Sequence, residues 1–413
     1  MEFRPYLVSW NLTKKCNLSC PHCYIDSSNT ADFDMKGTKN PELTTGEARF
    51  VIDELFRLNS YLMLVLSGGE PVLRSDIFEI VEYASRRGFI TVMGSNGTLL
   101  TEQNLKGLKQ AGLRGLGVSI DSTRAQSHDS FRGLEGGWER STGAIRSARA
   151  LGIEVQMDVT LTDRNVDEIE GFVDLGFSLS AKAVNFFFLV CTGRAMKTEI
   201  TTSNYELALR RIAKFSSREK RLMVRARCAP HVYRLLHEEG VDIPEGTRGC
   251  LAGRHYLRID PEGNVTPCPY MPVKVGNLKE TSLEKIWEES PQLRQLREGT
   301  YGGRCGLCEY AEICGGCRAR AFVEKDDLMD EDPLCSYTPS GRKKCDRAGG
   351  FHQELQWDEK AKERMNGIPP FMKGMIVRMI EAKAKERGMG FITSEFIDEL
   401  KNRFKPLGEE VRR

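Results

Sequence analysis

The first 200 residues alternate between short β-rich runs and amphipathic helical stretches, and this alternation restricts the fold most strongly. Strands are predicted at Tyr6–Trp10, Tyr61–Leu66, Phe89–Met93, Gly115–Ile120, Ile153–Thr160 and Ala183–Val190. Helical stretches lie between them, such as Thr44–Asn59, where Thr44 and Glu47 have the spacing of a capping box. Six β-then-α units in a row predict an α/β fold, a partial (β/α)6 TIM-type barrel that carries its chemistry at the C-terminal ends of the strands.

After residue 200 the alternation weakens, which predicts a change of domain. Residues 201–245 are predicted to be a helical linker, 246–345 a Cys-rich domain and 355–413 a small C-terminal helical domain, after a barrel over 1–200. Because residues 246–345 have little regular periodicity, we expect them to depend on bound metal for their stability.

The chain has 13 cysteines, and they cluster. Cys16, Cys20 and Cys23 follow the first predicted strand as CxxxCxxC. Neither a secretory leader nor an apolar run of the roughly 18 residues that a membrane span needs is visible, so we expect a cytoplasmic protein. In a reducing compartment, clustered thiols predict metal ligands and not disulfides. A net charge of +2 argues against nucleic acid or an anionic membrane as the main partner.

Three thiolates on one loop are one fewer than a closed 4Fe-4S cluster or structural zinc site requires. The open position would suit a cofactor or substrate that binds iron. The alternative is a zinc site with a remote fourth ligand such as His22.

Four motifs at predicted strand ends resemble the radical S-adenosylmethionine (SAM) superfamily: CNLSCPHCY, SGGEP at 67–71, GSNGT at 94–98 and VSIDS at 118–122. The resemblance implies that Cys16, Cys20 and Cys23 bind three irons of a 4Fe-4S cluster and that SAM chelates the fourth. It implies an enzyme that forms a 5′-deoxyadenosyl radical, while the barrel orients the substrate and excludes water. The SAM contacts that it implies are Tyr24, Gly68, Gly69, Glu70, Ser95, Asn96, Ser119, Asp121 and Arg132.

The C-terminal cysteines resemble the SPASM extension of radical SAM enzymes, which carries auxiliary 4Fe-4S clusters. Cys305, Cys308, Cys314 and Cys317 are spaced CxxCx5CxxC, whereas the commonest form has three residues before the last cysteine. By the family pattern, Cys305, Cys308, Cys314 and Cys335 would bind one cluster, and Cys250, Cys268 and Cys317 another. Cys228 is the first candidate for the missing ligand, ahead of Cys345; an open iron and a single auxiliary cluster are the alternatives. Zinc remains a further alternative for any CxxC pair.

Two stretches indicate the substrate. CGGCRARA and TPCPYMP at 266–272 resemble the branch that includes the alternative haem synthases and the haem d1 enzymes. The stretch from Trp357 to Phe404 resembles the terminal domain of protochlorophyllide reductase subunits. The two resemblances imply an anaerobic oxidation, the decarboxylation of iron-coproporphyrin III propionates to vinyl groups in haem b biosynthesis. The alternative is a maturase that crosslinks or otherwise modifies a peptide.

The predicted partners are therefore an anionic porphyrin and an electron donor such as ferredoxin or flavodoxin. Arg194, directly after the sixth strand, is the first candidate for a catalytic residue that meets the substrate anion. Arg225, Arg227 and Arg254 are further candidates, and His231 or His255 could ligate haem iron.

Overall fold

The computed structural model describes residues 3–27, 42–197, 200–219, 221–241, 243, 247–341, 355–365 and 370–403. Its main sheet has ten strands in the order β10-β9-β8-β1-β2-β3-β4-β5-β6-β7. The strands are β1 Leu7–Asn11, β2 Met63–Ser67, β3 Ile90–Ser95, β4 Gly115–Ser119, β5 Glu154–Leu161, β6 Ala183–Phe188, β7 Met223–Arg227, β8 Tyr256–Ile259, β9 Asn264–Thr266 and β10 Gly276–Asn277.

The barrel helices are α1 Thr45–Leu58, α2 Ile77–Arg86, α3 Glu102–Gln110, α4 Ala125–Arg132, α5 Gly137–Ala150, α6 Ile169–Ser178, α7 Thr202–Arg218 and α8 Val232–Glu238. Helix α1 begins at the predicted capping box, in which Thr44 accepts from the Glu47 N–H and the Glu47 side chain accepts from the Thr44 N–H. Strands β1 to β7 pair in parallel with their sequence neighbours, so the α/β architecture predicted from the alternation is confirmed.

The sequence predicts that the alternation of strands and helices weakens after residue 200. In the structure it continues through one more strand. Strand β7 pairs in parallel with β6, and helices flank it on both sides. Its sequence, MVRAR, places arginines on one face where an apolar strand is expected, which hides the strand from a hydrophobicity pattern. Residues 201–245 are therefore not a purely helical linker.

The cysteine-rich segment is joined to the barrel through its sheet. Strand β8 pairs in parallel with β1 and antiparallel with β9. The helices of this segment are α9 Leu283–Glu289, α10 Pro291–Glu298, α11 Gly303–Leu307 and α12 Arg318–Lys325. Leu257, Val265 and the fully buried Trp287 belong to the same core as the barrel helices. The first half of this segment therefore contributes to the barrel core, and its dependence on bound metal stays a prediction.

Near the C-terminus a small unit has its own core. Strands β11 Gln356–Trp357 and β12 Phe391–Ile392 pair in parallel beside α13 Glu359–Met365, α14 Pro370–Glu386 and α15 Ser394–Arg403. Trp357, Ile380 and Phe396 are buried together there, apart from the main core. The exact domain boundaries stay predictions.

The two faces of the barrel sheet differ in polarity. Residues such as Trp10, Leu66 and Phe186 are fully buried against the helices. Alternate positions, which face the barrel interior, include Ser67, Asp158 and Arg225, and these keep partial solvent contact. The barrel interior is therefore polar and accessible along the middle of its strands.

Candidate functional site

The cysteine loop, residues 16–23, follows β1 and lies at the C-terminal end of the sheet, as predicted. Cys16 and Cys20 are buried beside Leu18, with Leu134 packed against them. The Cys16 sulfur accepts from the Leu18 N–H at 3.4 Å, and the Cys23 sulfur accepts from the Ser27 N–H at 3.5 Å. Burial raises the pKa of Cys16 to about 11, so its thiolate needs a positive partner such as a metal.

The glycines of SGGEP allow the loop after β2 to touch the cysteine loop. The Gly69 N–H donates to the Thr13 carbonyl at 2.7 Å, and the Glu70 N–H donates to the Lys15 carbonyl at 2.8 Å. A Cβ on Gly69 would lie 2.1 Å from the Lys15 oxygen, and one on Gly68 would lie 2.6 Å from the Thr13 oxygen. The structure thus gives Gly68 and Gly69 a close approach to the protein backbone, in addition to the SAM contact that we predict for them.

Glu70, Ser95 and Asn96 form one buried group beside Cys16. The Glu70 carboxylate accepts from the Ser95 hydroxyl at 2.8 Å and from the Asn96 N–H at 2.9 Å. The Asn96 amide nitrogen lies 3.9 Å from the Cys16 sulfur. Burial raises the pKa of Glu70 to about 7. These predicted SAM contacts therefore meet at the ends of β2 and β3.

Asp121 and Arg132 form a buried ion pair at the end of β4. The Arg132 Nη2 lies 2.7 Å from the Asp121 Oδ2, and the Thr160 N–H donates to the Asp121 Oδ1 at 2.9 Å. The backbone oxygen of Arg132 lies 4.0 Å from the Cys20 sulfur. Ser119, the last residue of β4, is half-buried. The pair of Asp121 and Arg132 thus joins the ends of β4 and β5 to the cysteine loop.

His22 belongs to this group, although the sequence suggested only a zinc ligand for it. Its Nε2 lies 3.4 Å from the Asp121 Oδ2, and its ring stacks on Phe131 at 4.6 Å with an interplanar angle of 3°. Burial lowers its pKa to about 4, so it is neutral. The position of His22 between two cysteines of the motif was the signal that could have found it.

Tyr24 contacts the end of β1 and Tyr270. Its hydroxyl accepts from the Asn11 amide at 2.9 Å, and its ring centroid lies 4.9 Å from that of Tyr270. The expected contact of Tyr24 with the SAM adenine stays a prediction.

Arg194 holds the cysteine loop. Its Nε donates to the Cys20 carbonyl at 3.0 Å, its backbone N–H donates to the Cys23 carbonyl at 2.9 Å, and its Nη1 pairs with Asp26 at 2.8 Å. These contacts favour a positioning role over the catalytic role and substrate contact that we predicted for it.

Cys228, Cys250, Cys268 and Cys317 form a second group of thiols, the inner cysteine group. Cys268 and Cys317 are buried in one apolar cluster, and Cys228, Cys250, Tyr256 and Tyr270 pack against that cluster. Burial, followed by the negative charge of Cys317 and Cys250, raises the pKa of Cys228. Cys228 follows β7 and has a φ of 55°, a backbone conformation that residues other than glycine rarely adopt. The structure thus brings the proposed fourth ligand to the other three.

Cys305, Cys308, Cys314 and Cys335 form a third group, the outer cysteine group. All four line one small pocket, together with His231 and Tyr337. The Gly316 N–H donates to the Cys314 sulfur at 3.5 Å, and burial raises the pKa of Cys308 to about 11. These are the four residues that the family pattern assigns to one cluster; Cys345 lies outside the described residues.

A buried polar network separates the inner and outer groups. Asp332 accepts from the Cys317 N–H at 2.7 Å and from Arg320 at 2.9 Å. Burial alone would raise the pKa of Asp332, but the Arg320 guanidinium outweighs it and holds the pKa well below its usual range. His231, with its Nδ1 2.6 Å from the Tyr205 hydroxyl, is a neutral member of this network.

The donor sets fit iron-sulfur clusters. The eleven cysteines of the three groups are free thiols. Within the described ranges, no three His, Cys, Asp or Glu side chains are placed to hold a single metal ion. Ligands of a multi-iron cluster bind separate irons and need not converge on one point, and the three and four thiols of these groups are the ligands that 4Fe-4S clusters use.

Comparisons with known proteins agree with this chemistry. Residues 10–176 match the model of the radical SAM superfamily, 250–318 that of the SPASM iron-sulfur cluster-binding domain, and 357–401 that of the proto-chlorophyllide reductase 57 kD subunit. The chain is 38% identical to the AdoMet-dependent heme synthase of Methanosarcina barkeri over 82% of this chain and 98% of that protein. It is 37% identical to the protein of the same name from Nitratidesulfovibrio vulgaris, over 82% and 94% of the two chains.

Among solved structures, SuiB from Streptococcus suis bound to S-adenosylmethionine matches with a TM-score of 0.65 at 16% identity. The match covers 81% of this chain and 78% of that one. At this identity it supports the fold alone. In the described part of the chain, no helix is both long and apolar enough to cross a membrane.

Proposed function

Because the chain belongs to the radical SAM superfamily and carries a SPASM iron-sulfur domain, it is an enzyme that uses SAM and 4Fe-4S clusters, and we propose that it decarboxylates iron-coproporphyrin III to haem b. The observation that carries the proposal is the match to AdoMet-dependent heme synthases over nearly their whole length. The predicted resemblance to haem enzymes, made from short motifs, agrees with it.

The N-terminal site supplies the radical. Cys16, Cys20 and Cys23 would hold a 4Fe-4S cluster that, with SAM bound and an electron from a donor such as ferredoxin or flavodoxin, supplies a 5′-deoxyadenosyl radical. Arg194 keeps the cysteine loop in place by donating to two carbonyls of that loop. Leu18 and Leu134, which pack with Cys16 and Cys20, would limit the access of water to that side of the cluster.

Each propionate that becomes a vinyl group loses one hydrogen atom, one carbon dioxide and one electron. One hydrogen atom leaves the propionate β-carbon and forms 5′-deoxyadenosine. The bond to the carboxylate then breaks, carbon dioxide leaves, a vinyl group forms and one electron is released. That electron needs an acceptor, which is the use that we propose for the inner and outer cysteine groups as ligands of auxiliary clusters.

The positions of two tyrosines support a radical site at the cysteine loop and an electron acceptor at the inner cysteine group. Tyr24, at the end of the cysteine loop, lies against Tyr270, which adjoins the inner cysteine group. The radical site and the nearer electron acceptor would therefore lie on two sides of one aromatic contact.

The test uses anaerobically reconstituted protein, dithionite and SAM, with iron-coproporphyrin III or without porphyrin. We expect 5′-deoxyadenosine to form only when the porphyrin is present. Mass spectrometry should show that the porphyrin has lost carbon dioxide. Cleavage of SAM without any change in the porphyrin would contradict the proposal and would favour a peptide substrate.

A further inference from the structure

Three neighbouring strands carry a polar surface inside the barrel that the radical site does not use. In the register of the sheet, Asp158 on β5 lies beside Asn185 on β6, and Asn185 lies beside Arg225 on β7. Phe187 and Arg227 are paired in the next layer of the same face. The alternate residues Val159, Phe186 and Val224 are buried in the helix-facing core, so this set faces the interior.

Arg225 and Arg227 are two cations with one nearby acid. In the portion of the chain that the structure describes, Arg225 contacts the Met223 sulfur and Arg227 donates to the Asn185 oxygen at 3.4 Å, and neither forms an ion pair. Asp158 instead accepts from the Asn185 amide at 2.8 Å. Burial and the charge of Arg227 together lower the pKa of Arg225 to about 10. Among the residues that the structure describes, the barrel interior therefore has an excess of positive charge that no ion pair neutralises at close range.

Other arginines near the site are engaged differently. Arg194 is bonded to the cysteine loop, and Arg254 donates to the Tyr301 hydroxyl at 2.8 Å and lies over its ring. Arg258, on β8, donates to Asn11, whose amide in turn binds Tyr24. Arg225 and Arg227 are thus the candidates that remain, both on the interior-facing positions of β7.

We propose that Arg225 and Arg227 form a binding site for the carboxylates of the porphyrin substrate, an inference that rests on the proposed function. Two guanidinium groups two residues apart on one strand can each bind a carboxylate in a bidentate manner. Phe187, half-buried in the same layer, offers an apolar surface to the macrocycle beside them.

The experiment measures porphyrin binding and needs no turnover. The cluster-loaded protein, without SAM, is titrated anaerobically with iron-coproporphyrin III, and the Soret band is followed. A second titration uses iron etioporphyrin, which has alkyl side chains and no carboxylates. The variants are Arg225→Gln combined with Arg227→Gln, the corresponding pair of Arg→Lys changes, and Arg221→Gln as a control. Arg221 lies just before β7, is exposed and pairs with Glu219.

We expect the double Gln variant to lose about tenfold to a hundredfold in affinity for iron-coproporphyrin III. Its affinity for iron etioporphyrin and its iron content should stay at the wild-type values, as should all values for Arg221→Gln. The Lys pair should recover part of the affinity, because it restores charge without the bidentate geometry.

Three results would overturn the inference. If the double Gln variant binds iron-coproporphyrin III as tightly as wild type, the inference fails and the proposed function stands. An equal loss for both porphyrins would indicate damage to the barrel and not a carboxylate site. If wild type does not bind iron-coproporphyrin III, both the proposed function and this inference fail.

Discussion

The cysteine loop and the inner cysteine group use the same ligand chemistry in different surroundings. The loop offers three thiols at the open end of the barrel, with Cys23 only half-buried. The inner group offers four thiols, packed among Tyr256, Tyr270 and other apolar side chains. A site with one ligand too few can bind a substrate or cofactor at iron, whereas a complete set favours storage or transfer of electrons. Both regions contain half-buried thiols, Cys23 in the loop and Cys228 and Cys250 in the inner group, so ligand count, and not burial or ligand type, distinguishes the reactive site from the auxiliary one.

The two regions also share a supporting device. Beside Cys20 lies the buried pair of Asp121 and Arg132, and beside Cys317 lies the buried pair of Asp332 and Arg320. In each, the aspartate also accepts a backbone N–H from another segment. A buried carboxylate that is already paired can fix a loop without carrying net charge toward the cluster.

The largest expected effect comes from opening the cysteine loop further. Cys20→Ala should lower SAM cleavage by at least about a thousandfold, because the radical cluster loses one of its three ligands. The measurement is 5′-deoxyadenosine formed under reducing conditions. Cys317→Ala is the matched change in the other region and should retain SAM cleavage. Equal losses in the two variants would break the proposed division between the regions.

The completeness of the inner group is tested by Cys228→Ser. Wild type should contain about twelve irons, four for each of three clusters, and the variant about eight. Porphyrin decarboxylation should be lost while SAM cleavage persists. Cys191→Ser, a half-buried cysteine outside the three groups, serves as the control and should keep the wild-type iron content. A full complement of iron in Cys228→Ser would show that the inner group has another fourth ligand or none.

The supporting pairs are compared by Asp332→Asn and Asp121→Asn. Each change leaves a buried guanidinium without its counter-charge, so we expect each to lower the free energy of unfolding by about 3–5 kcal/mol. Denaturant midpoints measured anaerobically give the total effect. Electron paramagnetic resonance then locates it: Asp332→Asn should lose auxiliary signals and keep the signal that SAM perturbs, and Asp121→Asn should do the reverse. A decrease in the free energy of unfolding of less than about 1 kcal/mol would mean that water solvates the unpaired guanidinium.

The smallest expected effect concerns the backbone contact below the cysteine loop. Gly69→Ala places a Cβ 2.1 Å from the Lys15 oxygen and should cost about 1–3 kcal/mol. Gly46→Ala, in helix α1 with no atom within 4 Å of the new Cβ, should be neutral or slightly stabilising. Thermal unfolding compares the two. If Gly69→Ala is as stable as Gly46→Ala, the backbone at Lys15 can move away from SGGEP without a loss of stability.

Pattern reasoning succeeded where local signals and burial agree. Strand β5 alternates in burial along its length, and Thr44 and Glu47 mark the start of α1, so both elements were predictable. It failed at β7, whose interior-facing arginines contradict the usual apolar strand pattern. It also missed His22, because the stacking on Phe131 and the contact with Asp121 depend on two distant segments of the chain.

By itself the sequence determined the type of chemistry, since the spacing of Cys16, Cys20 and Cys23 after a strand and the motifs at later strand ends do not depend on how the rest folds. The resemblance to the SPASM extension also divided most of the C-terminal cysteines into two sets. Only the tertiary structure could bring Cys228 to Cys250, Cys268 and Cys317, and could turn Arg194 toward the cysteine loop while leaving Arg225 and Arg227 in the barrel interior. The physical reason is that spacing fixes which residues can act together on one loop, whereas contacts across the sheet are fixed by strand register and by the packing of the shared core.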